Sequence, residues 1–243
     1  MDLHEFAAGR IQYWEIWNEP NLDFFWKNPD PVAYTSLLMA SYTALKAADP
    51  SAVVVAGALT GGGATPELDA DRFLGAMLDA GADPFFDRFS VHPYTLGGPV
   101  LGQPPYPSLV DILSGCRLAL VNHGDSRPLW ITEVGWPTGP SPITGQCPDC
   151  HYWKINTEAE QATNIGTAIS TIEDLGYVET LILFELVDTL APLDPNVESP
   201  EQHFGLFRKD FSPKPAADAL AVNRRQPVNR IRPPRSTKTL EPR

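Results

Sequence analysis

Two glutamates, Glu19 and Glu133, stand where apolar runs of the sequence give way to polar residues, and each has tryptophans nearby. Two carboxyl groups that face one cleft can divide the work of catalysis, because the group in the more apolar pocket keeps its proton while the other stays ionised. Glycoside hydrolysis uses such a pair, and aromatic side chains suit the apolar faces of sugar rings. The two glutamates are therefore the first candidates for chemistry.

Further candidates follow the same kind of apolar run. His92 and Tyr94 come after RFSV, Trp136 closes the run that contains Glu133, and Glu185 lies within LILFELVD. At the carboxyl ends of parallel strands such side chains meet on one face. Taken singly, each glutamate is open to a structural interpretation, as a strand-end cap or an ion-pair partner. Taken together with the polar residues at the same strand ends, the glutamate pair favours a catalytic site.

Short apolar segments alternate with helical ones along the chain. The apolar segments, predicted as buried parallel strands, cover residues 11–17, 52–57, 88–94, 128–136 and 180–188. Helices are predicted from Asp30 to Asp49, over 73–78 with Gly81 as the stop, from Ser108, from the Thr157–Glu160 capping box to Gly176, and over 216–222. Strict alternation predicts a parallel sheet with right-handed crossovers, either an open doubly wound sheet or part of a barrel.

Composition limits the possible functions. The chain has 243 residues, of which 43% are hydrophobic, enough for one sizeable core, and no apolar run is long enough to span a membrane. The net charge is −12, although residues 224–243 hold seven of the 18 basic side chains, so the body is strongly acidic and nucleic-acid binding is not expected. We assign residues 1–222 to one domain. Residues 223–243 are interpreted as a disordered Pro-rich tail, with a basic docking tail as the alternative.

The sequence predicts neither a cofactor nor a metal ion. LTGGGAT, at 59–65, lacks the spacing and the lysine of a phosphate loop and is interpreted as a flexible turn. CPDCH, at 147–151, matches a haem attachment motif, but a local disulfide between Cys147 and Cys150 is the favoured interpretation, and a metal site would lack a fourth ligand. Cys116 is predicted to be a small buried apolar residue.

The two glutamate motifs carry a resemblance to a known group of enzymes. WEIWNEPN and LWITEVGWPT resemble the two catalytic signatures of clan A glycoside hydrolases, the retaining (β/α)8 TIM-barrel enzymes. SVHPY resembles that clan's strand-six His-x-Tyr, and FGLFRKDFSPKPAADAL resembles its closing segment. The longer match from Tyr13 to Gly57 is most similar to glycoside hydrolase family 39, which includes β-xylosidases, iduronidases and exopolysaccharide-cleaving relatives. The resemblance covers residues 11 to about 222.

The resemblance implies a role for each candidate residue. Glu19 would be the general acid/base and Glu133 the nucleophile of a retaining enzyme that cleaves β-glycosidic bonds in a poly- or oligosaccharide. The implied substrate-binding residues are Asn18, His92, Tyr94, Trp136 and Glu185. Asn18 would contact the sugar 2-hydroxyl, Tyr94 would orient Glu133, and Trp136 would form a wall of the sugar subsite. For Glu185 a contact with sugar hydroxyls and a structural ion pair are equally favoured.

The position of the first motif adds an expectation about the barrel. In the clan the acid/base glutamate ends strand four, so three βα units would precede Glu19, whereas the sequence offers about ten residues before the first strand. We therefore expect an incomplete barrel with strands four to eight and their helices, and we interpret LHEFAAGR as a remnant of helix three. Exposed edge strands predict self-association or pairing with a missing half. The alternative is a weakly active or non-catalytic carbohydrate-binding fragment.

Overall fold

The computed structural model describes residues 10–61, 68–95, 107–139, 155–188 and 199–223. Within these ranges one parallel sheet contains β1 (Tyr13–Ile16), β2 (Val53–Thr60), β3 (Arg88–His92), β4 (Leu129–Ile131) and β5 (Val178–Leu181), in that order. The helices are α1 (Pro31–Ala48), α2 (Ala70–Asp79), α3 (Leu109–Asn122), α4 (Glu158–Leu175) and α5 (Pro215–Asn223), with short 3-10 helices at Asp83–Phe85 and Pro200–Gln202. Neighbours in the sheet are neighbours in the chain, as in part of a (β/α)8 barrel.

The helix ends are set by the predicted caps. The Asp30 side chain accepts two backbone N–H groups at the start of α1. At the start of α3, Ser108 accepts the Asp111 N–H and the Asp111 side chain accepts the Ser108 N–H, which makes a capping box. Thr157 and Glu160 form the predicted capping box of α4. Gly176 ends α4 in the left-handed region, with φ 68°, where a side chain would be strained. These local signals confirm the helix predictions and fix where each crossover returns to the sheet.

A hydrophobic core fills the space between the sheet and the helices. It combines strand residues such as Phe89 and Ile131 with helix residues such as Phe73 and Leu113. Cys116 is fully buried in this core, as predicted, and burial raises the pKa of its thiol. No helix in the described ranges is long and apolar enough to cross a membrane.

The strand predictions were partly wrong. β4 and β5 are shorter than the apolar runs 128–136 and 180–188, so Glu133 and Glu185 lie beyond the strand ends. The segments that follow β4 and β5 stay side by side without forming a regular pair of strands. They remain in contact because the Phe184 N–H donates to the Val134 carbonyl at 2.9 Å. β1 is not buried on both faces, because Tyr13 is 52% exposed at the sheet edge. The apolar run alone does not show that β1 is an edge strand, but the early position of the Glu19 motif predicted it.

Some of the sequence predictions fall outside the described ranges. They concern the helix-three remnant apart from its last residue, Arg10, and most of the Gly-rich turn at 59–65. They also concern Cys147 and Cys150 with the rest of the CPDCH segment, and the basic tail from 224 onward.

Candidate active site

His92, at the end of β3, brings the two candidate glutamates together. Its Nδ1 lies 2.9 Å from Glu19 Oε1 and 3.7 Å from Glu133 Oε2, and the imidazole is fully buried. The two carboxyl oxygens are thus no farther apart than the sum of these two distances. The structure therefore brings together residues from the ends of β1, β3 and β4, as expected for a site at the carboxyl ends of parallel strands.

Tyr94 is hydrogen-bonded to Glu133. The Tyr94 hydroxyl donates to Glu133 Oε2 at 3.1 Å. Burial and the charge of Glu133 raise the pKa of Tyr94, so the phenol stays protonated and remains a donor. Burial also raises the pKa of Glu133, while the neighbouring His92 and the Tyr94 hydrogen bond act in the opposite direction. Half burial therefore outweighs the groups that favour the ionised form of Glu133.

The backbone around Glu19 is bent. Trp17 and Glu19 have φ of 69° and 43°, in the left-handed region that residues with side chains rarely adopt. The Glu19 N–H donates to the Ala58 carbonyl at 3.1 Å, where β2 has an irregularity and both Gly57 and Ala58 have positive φ. Such strain persists only where surrounding contacts hold it, and it often marks functional sites.

Asn21 is a residue that the sequence analysis missed. It is fully buried, and its Nδ2 donates to the carbonyls of Thr60 and Leu68, both at 2.9 Å. Its Oδ1 accepts the Thr60 N–H at 3.1 Å. These bonds fasten the loop that carries Glu19 to the loop after β2. The asparagine follows Glu19-Pro20 directly, and a polar residue inside the motif was the available signal.

The remaining predicted residues lie around the carboxyl pair. Asn18 is half-buried next to Glu19, and Glu185 is half-buried after a cis peptide bond with Phe184. The Glu185 N–H and carbonyl take part in backbone hydrogen bonds to Phe204 and Leu206. Only 2% of Trp136 is exposed, and its Nε1 donates to Thr95 Oγ1 at 3.1 Å. The sugar contacts expected for these residues remain predictions.

Trp130 points away from the carboxyl pair. Its ring lies 5.2 Å from that of Tyr13, and its Nε1 donates to Glu179 at 2.8 Å. Trp17, which is close to Glu19 in the sequence, is half-exposed, and its Nε1 donates a hydrogen bond to the Phe25 carbonyl. The sequence neighbours of the two glutamates are therefore not all walls of the site.

A second polar layer lies below the carboxyl pair, on the concave side of the sheet. Thr132 Oγ1 donates to Glu15 Oε1 at 2.8 Å and lies 3.1 Å from His92 Nε2. Ser90 Oγ donates to the same Glu15 oxygen at 2.5 Å. The sequence analysis did not assign these three residues, although a glutamate in the middle of an apolar strand was a signal.

A buried ion pair supports the far side of the site. Lys214 Nζ lies 2.7 Å from Asp188 Oδ1 and also donates to Thr138 and to the His203 carbonyl. Lys214 belongs to the Pro-Lys-Pro segment, and Asp188 follows β5. The ion pair joins the closing segment to the segment after β5, and the bond from Lys214 to Thr138 joins it to the loop after β4. In the described residues no group of three His, Cys, Asp or Glu side chains is arranged to hold a metal ion.

Comparison with known proteins supports the resemblance. No protein-family model matches the chain. A β-xylosidase from Geobacillus stearothermophilus is 25% identical over 233 residues, which covers 90% of this chain and 42% of the relative. The solved family 39 glycoside hydrolase of Bacteroides cellulosilyticus WH2 is 26% identical with a TM-score of 0.63, and covers 90% of this chain and 41% of that one. A family 39 β-xylosidase from Caulobacter crescentus is 22% identical, with a TM-score of 0.61 and 91% and 45% coverage.

These comparisons confirm the expected fold. The two solved structures are family 39 enzymes and the third relative is a β-xylosidase, and this chain spans about 41–45% of their length. Its parallel sheet with alternating helices is an incomplete (β/α)8 barrel. The chain is thus similar to the family 39 glycoside hydrolases over less than half of their length, as its two glutamate motifs indicated.

Proposed function

We propose that the chain carries the catalytic carboxyl pair of a retaining β-glycosidase, with Glu19 as acid/base and Glu133 as nucleophile. The observation that carries the proposal is the position of His92 Nδ1 between the two carboxyl groups. Retaining enzymes need carboxyl groups about 5–5.5 Å apart, whereas inverting enzymes leave about 6.5–9.5 Å for a water. The two oxygens next to His92 Nδ1 are no farther apart than the sum of 2.9 and 3.7 Å, a separation that is compatible with the retaining geometry.

The proposed reaction is a double displacement. Glu133 attacks the anomeric carbon and forms a glycosyl–enzyme bond, while Glu19 donates a proton to the leaving oxygen. Glu19 then takes a proton from water, and the resulting nucleophile releases the sugar with retained configuration. The Tyr94 hydroxyl orients Glu133 through its hydrogen bond to Oε2. Because burial raises the pKa of Glu133, activity falls on the acid side at a higher pH than for an ordinary glutamate.

The proposed substrates are β-glycosides, with β-xylosides as the first to test. The similarity to a β-xylosidase and to family 39 enzymes supports this choice. The proposed sugar contacts are Asn18 at the 2-hydroxyl and Glu185 beside the ring, while the buried His92 and Trp136 would support the subsite from behind. No metal or cofactor takes part in the proposed steps.

A panel of aryl β-glycosides tests the proposal. We expect the chain to hydrolyse at least one of them, and Glu133→Ala to abolish turnover because no nucleophile remains. Glu19→Ala should retain activity on substrates with an activated leaving group, since these do not need the acid. Turnover that survives Glu133→Ala would contradict the assignment. A product of inverted configuration, observed by NMR, would contradict retention.

The length of the chain favours a second candidate. The chain spans less than half of its relatives, so substrate contacts made by the rest of a barrel are not among its own residues. In this second case the chain is a carbohydrate-binding or weakly active part of a larger assembly. The same panel distinguishes the two, because no substrate would turn over and Glu133→Ala would change nothing.

A further inference from the structure

A chain of hydrogen bonds leads from the concave face of the sheet to Glu19. Glu15 Oε1 accepts the Thr132 hydroxyl at 2.8 Å. Thr132 Oγ1 in turn lies 3.1 Å from His92 Nε2, and His92 Nδ1 lies 2.9 Å from Glu19 Oε1. The first and the last member are both glutamates of the β1 segment. The distances alone do not say where the protons sit, but the donor capacity of each group does.

Thr132 has one hydrogen to donate, and Glu15 takes it. A carboxylate is an acceptor only, whereas a hydroxyl donates once and accepts twice. Ser90 Oγ supports Glu15 as the acceptor: it accepts the Ala58 N–H at 2.8 Å, so its own hydrogen can turn to Glu15 Oε1 at 2.5 Å. With its hydrogen committed, Thr132 can only accept from His92. Nε2 of His92 must therefore carry a hydrogen.

This tautomer determines what lies between His92 and Glu19. A neutral imidazole has one N–H, so a hydrogen on Nε2 leaves Nδ1 as a bare acceptor. A bare nitrogen and an ionised carboxylate cannot hydrogen-bond to each other across 2.9 Å. One proton has to lie between them, either on the Glu19 carboxyl group or on Nδ1 of a charged ring.

We propose that Glu15 is a positioning residue that, through Thr132, fixes the hydrogen of the neutral His92 ring on Nε2 and so holds one proton between His92 Nδ1 and Glu19. This inference rests on the proposed function, in which Glu19 donates a proton in the first step. In the proposed arrangement His92 and Glu19 together hold that proton before the reaction begins. Glu15 itself touches no substrate in this scheme and acts only through its neighbours.

Two further residues, Glu133 and Tyr94, lie next to the His92 ring. Glu133 Oε2, at the end of β4, lies 3.7 Å from Nδ1, and its charge favours a proton on the ring. The ring of Tyr94, in the loop after β3, stands edge-on at 6.3 Å between centroids and contributes no charge. Glu19 is linked to the ring directly, and Glu15 is linked to it through Thr132.

The test is the ring tautomer, measured by NMR on protein with 15N-labelled histidines. The signal of His92 is identified among the five histidines by its loss in His92→Gln. In the wild type we expect the hydrogen of the neutral ring on Nε2. In Glu15→Gln the amide can donate to Thr132, whose hydrogen then turns to Nε2. The ring hydrogen moves to Nδ1, and the two 15N shifts exchange places.

Variants of Thr132 make the test independent of how well Glu15→Gln folds. Thr132→Ser keeps the hydroxyl and should keep the hydrogen on Nε2, whereas Thr132→Val removes the acceptor and should lose that preference. A wild-type neutral ring with its hydrogen on Nδ1 would overturn the proposal. So would a ring that is unchanged in both Glu15→Gln and Thr132→Val.

The readout does not depend on turnover. A chain that hydrolyses no glycoside overturns the proposed function, while the ring tautomer still decides the role of Glu15. Where the chain is active, the alkaline limb of kcat/KM should move to lower pH in Glu15→Gln, because the charge of Glu15 no longer favours the proton held between His92 and Glu19. An unmoved limb in the active enzyme would count against the proposal.

Discussion

Glu133 lies in a setting that disfavours the ionised form that its proposed role as nucleophile requires. Burial raises the pKa of its carboxyl group, and the opposing effects of His92 and Tyr94 do not cancel that rise. A group whose pKa is higher in the folded than in the unfolded protein lowers the stability of the fold once pH exceeds both values. The proposed nucleophile is therefore a position where function and stability conflict.

At this residue we predict that Glu133→Gln stabilises the protein at neutral pH while it abolishes turnover. The amide removes a charge that the folded state disfavours. The gain should disappear as pH falls below the pKa of an ordinary glutamate, because Glu133 is then protonated in both states. Urea unfolding at several pH values measures the difference. A destabilised variant at neutral pH would contradict this interpretation of the site.

Glu179 provides a control of opposite sign. The Trp130 hydrogen bond, with help from Arg88, lowers the pKa of Glu179. Glu179→Gln should therefore destabilise the fold at neutral pH, and that loss should vanish on acidification through the lowered pKa. Equal responses of the two variants would show that the effect comes from the amide and not from the local environment.

At the scale of elements, the sequence predicts the helices better than the strands. Asp30 and the Thr157–Glu160 box determine helix starts through bonds to their own backbone, so neighbouring letters are sufficient. The ends of β4 and β5 depend on which carbonyl each strand meets across the sheet, which no local pattern encodes.

The residues of the candidate site also fall into those that local sequence predicts and those that depend on distant partners. Glu19 and Glu133 are visible as motifs at strand ends. Glu15 and Asn21 stand out in the sequence as polar residues, but their partners, Thr132 and Thr60, lie far along the chain, so the sequence does not show what they bind. Tertiary contacts of this kind become visible only once the strands are paired.

Gly135 lies where the segment after β4 packs closely against the segment after β5. A Cβ at this position would lie 2.0 Å from the Phe184 carbonyl oxygen, a backbone atom that cannot turn aside. We predict that Gly135→Ala destabilises the fold by about 1–3 kcal/mol and lowers activity, because the segments after β4 and β5 must move apart. Thermal unfolding and the aryl glycoside assay measure the two effects.

Gly166, inside α4, is the matched control. A Cβ there meets nothing within 4 Å, so Gly166→Ala should stabilise the protein by about 0.5–1 kcal/mol through helix propensity. Gly135→Ala as stable and as active as this control would show that the two segments tolerate separation.

At the scale of the molecule, the described sheet is an open half of a barrel. Its first and last strands lie at edges, and apolar side chains are exposed beside them: Tyr13 is 52% and Ile182 49% exposed. Unpaired edges and exposed apolar surface favour association. The acidic side chains Glu15 and Glu179 also lie on the concave face, where Glu15 accepts hydrogen bonds from Ser90 and Thr132 and Glu179 is paired with Arg88.

We predict that the isolated chain associates through these edges. Light scattering over a range of concentrations should show species larger than a monomer, and Tyr13→Arg should shift the distribution toward monomer. Leu118→Arg is the control, since Leu118 is 58% exposed on α3, away from the edges. A well-folded monomer at all concentrations, or an equal effect of both variants, would contradict edge association.

The hydrogen bonds by which Asn21 fastens the Glu19 loop to the loop after β2 have a consequence for protein engineering. Glu19 is held by Ala58, by His92 and by the loop that Asn21 fastens to Thr60. All of these contacts come from β2, β3 and their loops, on one side of β1. A split barrel cut ahead of β1 would therefore keep its acid/base already in position. When the two parts of such a barrel are mixed, the activity that returns would measure how well the other part binds, because the carboxyl pair is already in position.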